Sequence, residues 1–282
     1  MRKEFLGAQA MSDDTMMHIV IDNELLDVYD TKYIGGKAQG LSMLARCGYA
    51  IPSTHILTIN GYRDFLDSKG RCDDSELQKL ADAMFKDLTC LGYGVTILRS
   101  SAENEDGVNA SFSGMMKSTV VKREETHDRL KRIIQGMLIA PLNNHYQEYN
   151  KAKGLAGYPQ HFTFVIQPYL SSELSGVLFT ADPVSGSEKT VVIETVLGGN
   201  EALTSGTAVP ALINIDTVSK SVTRFESGDE ELRPDDNLLT LMIQLSTHAK
   251  AIESLMKHPQ DIEWLYRDGE FVFLQTRPIT TI

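Results

Sequence analysis

Cysteine is scarce, with three residues, Cys47, Cys72 and Cys90, in 282. An odd count without CxxC spacing offers neither a disulfide framework nor a cysteine zinc site, and it fits a reducing compartment. No apolar run reaches the ~18 residues that a membrane span requires. The opening Met1-Arg2-Lys3-Glu4-Phe5-Leu6-Gly7 has early charge but no apolar core of signal-peptide length. A soluble, cytoplasmic protein is expected. Basic clusters are missing as well: 38 acidic side chains stand against 27 basic ones, a formal charge of −11. Such a surface repels nucleic-acid backbones and anionic membranes, so neither is an expected partner. The seven histidines show no HxH or HExxH spacing, which argues against a dedicated metal cluster. There is no GxSxG elbow, no GxxxxGK[ST] loop, no internal repeat and no low-complexity segment.

What is present is an ordinary globular composition, 42% apolar, long enough for one large domain or two moderate ones sharing a cleft. Helical spacing predicts a helix from about Lys37 to Cys47, stopped by Gly48. Asn60 can cap a short helix carrying Tyr62, Phe65 and Leu66. Asp73 can cap a longer one with Leu77, Leu80, Ala81, Met84 and Leu88 in one stripe. Val95 to Leu98 reads as a buried strand, and a helix from about Glu124 to Lys151 is expected to kink near Pro141. After Gly154 the pattern turns to strands, at 162–167, 176–180, 191–195 and 212–216. A helix over 236–257 and a hairpin over 261–276 close the chain. The expectation is an α+β protein with a helix-rich subdomain over residues 1–160 and a sheet-rich one over 161–282, with the site in the cleft between them.

Several segments carry phosphate chemistry. Gly35-Gly36-Lys37 stands directly before a helix, where free N–H groups, the helix start and the lysine charge all favour an anion. Arg99, Ser100 and Ser101 arrive at a strand end, where an arginine suits charge-assisted contact with phosphate oxygens. The loop that follows holds Ser113 and Gly114, small enough to close over a triphosphate. Each segment also has an ordinary reading, as a loop-to-helix turn or a solvated loop. Gln167 to Tyr169 offers free backbone groups for an adenine, and Glu201 an acceptor for ribose hydroxyls.

The closing hairpin is a geometric problem. If its turn is Arg267-Asp268-Gly269, then Glu263 and Gln275 become diagonal neighbours on one face, within reach of a shared Mg²⁺. A two-residue turn would put them on opposite faces and defeat the metal reading. Arg277 lies on the same face beyond Gln275, placed to meet a transferred phosphate.

In order along the chain, these segments resemble the ATP-binding domain shared by pyruvate phosphate dikinase, phosphoenolpyruvate synthase and rifampin phosphotransferase. The matching runs are Gly35-Gly36-Lys37, Gly48-Tyr49-Ala50-Ile51-Pro52, Arg99-Ser100-Ser101-Ala102 and Ser111-Phe112-Ser113-Gly114. Gly176-Val177-Leu178-Phe179-Thr180, Asp261-Ile262-Glu263-Trp264 and Leu274-Gln275-Thr276-Arg277-Pro278 complete the set. The resemblance implies an ATP-grasp-like fold, phosphate contacts from Lys37, Arg99 and Arg277, and magnesium ligands Glu263 and Gln275. It implies ATP and Mg²⁺ as cofactors. It also implies transfer of a phosphoryl group to a histidine on a swivelling domain, releasing AMP and phosphate, on the way to a small-molecule acceptor such as pyruvate. Neither that domain's Thr-Ser-His signature nor an acceptor barrel is found in these residues, so a separate histidine-bearing domain or partner is expected. A direct small-molecule kinase and a non-catalytic nucleotide-binding module are the alternatives.

Overall fold

The computed structural model describes residues 9–10, 16–21, 34–60, 73–90, 94–102, 118–122, 124, 126–140, 148, 151, 161–199, 208–280 and 282. The fold is α+β, and the chain divides into two compact units, residues 1–46 with 53–169 and residues 47–52 with 170–282. Among the described residues, each unit is built on a six-stranded sheet whose pairings are all antiparallel.

In the first unit the strand order is β1 (Gln9–Ala10), β2 (Met16–Ile21), β3 (Thr54–Asn60), β6 (His161–Pro168), β4 (Val95–Ala102) and β5 (Ser118–Lys122). Helices α2 (Asp74–Cys90) and α3 (His127–Leu138) cover one face. The Asp73 carboxylate accepts the Ser75 N–H at the start of α2, and Leu77, Leu80, Ala81 and Met84 are buried as their spacing predicts. The Thr126 hydroxyl accepts the Arg129 N–H at the start of α3. These helices pack on Leu57, Ile59, Leu98, Phe162, Phe164 and Ile166, all fully buried. Helix α1 (Gly35–Arg46) packs on β4 and β6.

This unit corrects two expectations. It is not simply helix-rich, because it holds a full sheet. The strand at 161–168, assigned from sequence to the second subdomain, pairs between β3 and β4, so the division falls after Tyr169. Asn60 ends β3. The helix expected beyond it, residues 61–66, and the kink at Pro141 lie outside the described residues.

The second unit orders its strands β10 (Ser221–Glu226), β9 (Ala211–Asp216), β8 (Thr190–Leu197), β7 (Leu174–Phe179), β11 (Gln260–Arg267) and β12 (Glu270–Pro278). Helix α4 (Asp236–Met256) opens with the Asp235 carboxylate accepting the Leu238 N–H and closes at Lys257 with φ 63°. Its Leu238, Met242, Leu245, Ala249 and Ile252 are buried. His248 meets Tyr49, Phe271 and Phe273 edge-on. Ile193, Ile213, Leu178, Ile262 and Trp264 are fully buried. Strand alternation puts the residues between them, Glu194, Val177, Asp261 and Glu263, on the face opposite α4. Gly176 is required where it stands, since a Cβ there would lie 2.0 Å from the Glu194 carbonyl oxygen. Among the described residues, no helix is long and apolar enough to cross a membrane.

Candidate functional site

In the first unit the candidate phosphate residues gather where α1 meets β4. Gly35 adopts φ +73°, and a Cβ there would come within 2.5 Å of the Ser101 hydroxyl oxygen. Only glycine fits both the conformation and the space. The next turn then brings the Lys37 N–H to Ser101 Oγ, donating at 3.3 Å. This satisfies one of the donors that a helix start leaves open. Alternation along β4 puts Arg99 on the same face as Ser101, while Ser100 turns to the Leu98 side, under α2 and α3. Lys37 and Arg99 are both buried, at 9% and 7% exposure. Charges held this far from water are kept there by partners, and both side chains have contacts within the fold.

The same face carries further polar side chains from β3 and β6. Gln167 donates to the Thr54 hydroxyl at 3.0 Å, and Thr58 and Thr163 share a hydrogen bond at 3.2 Å, all four residues being buried. Tyr169, half-buried, donates its N–H to the Val95 carbonyl at the unit's edge. Of the residues singled out in sequence, Gly35, Gly36, Lys37, Arg99, Ser100, Ser101, Gln167 and Tyr169 belong to this unit and are described, Ser100 alone of the β4 three facing away from α1. Ser113 and Gly114, in the loop after β4, and Glu201 lie outside the described residues.

In the second unit the hairpin resolves differently from its expectation. The turn has two residues, Asp268 with φ 51° and Gly269 with φ 82°, joining Arg267 to Glu270. This is the doubly left-handed turn that an Asp-Gly pair favours, and it replaces the expected three-residue turn. Taken alone it would put Glu263 and Gln275 on opposite faces. A β-bulge reverses that outcome: Trp264 pairs with Phe273, Leu274 is the extra residue, and Glu263 pairs with Gln275. The two side chains therefore stand directly opposite each other, with Cβ atoms about 4.5–5.5 Å apart in such a pair. The next alternate pair on that face is Asp261 with Arg277. The Arg277 Nε and Nη2 both donate to Asp261 Oδ2, at 2.8 and 2.7 Å.

A buried polar cluster fixes this register. Thr180 donates its N–H to the Gln260 carbonyl and accepts the Gln260 N–H on its hydroxyl. The Thr276 hydroxyl donates to Gln260 Oε1 at 2.8 Å. The ends of β7, β11 and β12 are thereby tied together beside Asp261 and Glu263. Asp261 was read from sequence as part of the hairpin but not of the site. Its position two residues before Glu263 in a strand, hence on the same face, was the signal that would have included it.

Glu263 and Gln275 offer a carboxylate and an amide oxygen, with no nitrogen or sulfur ligand, and Gln275 is nearly buried. That donor set fits a hard cation such as Mg²⁺, which keeps its remaining positions for water and phosphate oxygens. The adjacent Arg277 adds fixed positive charge for a phosphate. On the same face Glu194 is half-buried, and burial pushes its carboxyl above the usual carboxylate range.

Residues 74–282 match the family described as pyruvate phosphate dikinase, AMP/ATP-binding domain. The probable phosphoenolpyruvate synthase of Archaeoglobus fulgidus is 27% identical, over 91% of this chain and 41% of that protein. A rifampicin phosphotransferase of a Streptomyces species is also 27% identical, over 94% of this chain and 36% of its own. The chain thus spans less than half the length of these relatives. Among solved structures, an ADP complex of N5-carboxyaminoimidazole ribonucleotide synthetase gives a TM-score of 0.41 at 10% identity, over 88% of this chain and 45% of that one, a distant likeness. On the match over residues 74–282, which covers the hairpin with Asp261, Glu263, Gln275 and Arg277, this chain belongs to the pyruvate phosphate dikinase AMP/ATP-binding domain family.

Proposed function

We infer that this chain binds Mg·ATP and activates it for transfer of a phosphoryl group to a histidine carried by a separate domain or partner. ATP, histidine and one water then give phosphohistidine, AMP and phosphate, and the phosphohistidine serves a small-molecule acceptor such as pyruvate. The observation that carries the reading is the bulged hairpin, which sets an oxygen-donor pair, Glu263 and Gln275, next to the Asp261–Arg277 pair on one face.

Phosphoryl transfer asks of a protein mainly positioning and charge neutralisation. Glu263 and Gln275 are the residues to hold Mg²⁺, which when bound supplies charge neutralisation to the phosphates. Arg277, clamped by Asp261, is oriented before the nucleotide arrives, so little of its binding energy is lost in ordering. Within the first unit, Lys37 and Arg99 on the polar face under α1, with the Gly35 and Gly36 N–H groups, are suited to a phosphate anion. The reading is supported by the family's AMP/ATP-binding description and by relatives named as phosphoenolpyruvate synthase and rifampicin phosphotransferase.

Phosphorus NMR of Mg·ATP incubated with the purified chain tests the reaction class, with Lys37→Ala as the control for contaminating activities. AMP and phosphate are the expected products. Accumulation of ADP instead would identify a direct kinase. Tight ATP binding with no turnover, even when a histidine-bearing domain of a relative is added, would leave a nucleotide-binding module.

A further inference from the structure

Away from the hairpin, two acceptor groups on the same face of the second sheet have no partner among the described residues. Glu194 lies mid-strand in β8, with Val177 and Leu212 as its cross-strand neighbours. Among the described residues its carboxylate makes no hydrogen bond or ion pair, and burial is the sole cause acting on its acidity. Asn214, one strand over, pairs with Val192 and is therefore diagonal to Glu194 on that face. Its Oδ1 is buried without a hydrogen-bond partner among the described residues. A buried acceptor left unpaired, as Asn214 Oδ1 is, is costly, and beside it the half-buried Glu194 carboxylate offers a second acceptor open to a donor from outside the sheet.

Position says which part of a ligand would supply them. β8 lies two strands from β11, with β7 between, so Glu194 is roughly 10 Å from Glu263 at the usual strand spacing. That backbone spacing is several times a cation's coordination distance, and among the described residues no group of three acidic, histidine or cysteine side chains is placed to hold a metal ion. Both groups accept and sit among Val177, Val192 and Leu212. The complement is an apolar body carrying N–H or O–H donors. A nucleotide whose phosphates meet the hairpin spreads its sugar and base over a distance of this order.

We propose that Glu194 and Asn214 form a subsite that reads the hydrogen-bond donors of the nucleoside end of the bound nucleotide. The proposal rests on the reading of the hairpin as the phosphate and metal site. Donors of this kind come from two places, the exocyclic amine of adenine and the ribose hydroxyls. Glu194 and Asn214 act by binding, so they set affinity and base preference, while the chemistry of transfer stays with the hairpin.

Calorimetric titration of the purified chain, at fixed Mg²⁺, with ATP, inosine triphosphate, 2′,3′-dideoxy-ATP and inorganic tripolyphosphate tests this in the wild type, Glu194→Gln and Asn214→Leu. Glu194→Gln is isosteric and removes a half-buried charge, while Asn214→Leu keeps the branched outline, adds bulk at a part-exposed position and removes the unpaired acceptor, so both variants are expected to fold; thermal melts verify it. The expected result is about a tenfold loss of ATP affinity in each variant with tripolyphosphate affinity unchanged. A loss retained with dideoxy-ATP but absent with inosine triphosphate assigns the donor to the base amine, and the reverse pattern assigns it to the ribose. ATP affinity within twofold of wild type in both variants, or an equal loss for tripolyphosphate, overturns the subsite while leaving the hairpin reading in place. A wild type that binds neither ATP nor tripolyphosphate removes the hairpin reading, and the subsite with it.

Discussion

Substituting Gly35 by alanine should damage the first unit through one identifiable atom. At φ +73° an alanine costs about 1–2 kcal/mol relative to its preferred region. The added Cβ also lies 2.5 Å from Ser101 Oγ, closer than real contacts come, and Ser101 is fully buried in β4 and has no room to retreat. Relief requires Ser101 to rotate or α1 to shift, and either breaks the Lys37 N–H to Ser101 bond, worth about 1 kcal/mol. Gly35→Ala should therefore destabilise by roughly 2–3 kcal/mol, lowering the urea midpoint by about 1 M. In a Ser101→Ala background the offending oxygen is gone, leaving the backbone strain and the tight 3.1 Å approach to the residue 101 Cβ, so the same substitution should cost about 1 kcal/mol less. Urea unfolding followed by far-UV circular dichroism, run as a double-mutant cycle, measures this. A coupling within about 0.3–0.5 kcal/mol of zero would refute the reasoning, since independent sites add to that precision.

Other substitutions separate charge from scaffold. Lys37→Ala and Arg277→Ala are each expected to abolish phosphoryl transfer in phosphorus NMR with the fold retained, Arg277→Ala melting lower because it leaves Asp261 without its partner, and wild-type turnover would remove the residue from the site. Asp261→Asn keeps an acceptor for Arg277 but loses its charge, so stability should fall by roughly 1–2 kcal/mol and transfer at saturating ATP should drop; unchanged turnover would show that the clamp does not orient Arg277. Glu194→Gln should stabilise the empty protein at neutral pH. Burial raises the folded-state pKa of Glu194, so the penalty is absent below the ordinary carboxylate range and sets in as pH rises through the window between the unfolded and folded values. Melting curves of wild type and variant should thus converge at acid pH and separate toward neutrality, and a constant difference across pH would contradict the assignment.

The sequence made the local chemistry readable and the sheets less so. The α2 stripe, its Asp73 cap and the strands at 162–167, 176–180, 191–195 and 212–216 follow from periodicity and turn residues, because each has one dominant face. β3 did not announce itself. It is internal, flanked by β2 and β6, and its Thr54 and Thr58 are buried as hydroxyl partners of Gln167 and Thr163. Apolar alternation is absent where polar side chains are satisfied across strands. That concealed the first unit's sheet and drew the division too early. The hairpin shows the opposite failure. Asp268-Gly269 is a strong two-residue turn signal, yet pairing Glu263 with Gln275 depends on a bulge at Leu274, and nothing about a leucine marks a bulge. The polar contacts that hold the register, from Thr180 through Gln260 to Thr276, join residues far apart in the chain and become visible only once β7, β11 and β12 are adjacent.

The hairpin as metal and phosphate site is tested most directly by titrating ATP into the wild type, Glu263→Ala and Gln275→Ala across a series of Mg²⁺ concentrations. The expected result is ATP binding that strengthens with Mg²⁺ in the wild type and needs severalfold more Mg²⁺ in each variant. The same Mg²⁺ dependence in all three proteins would contradict it.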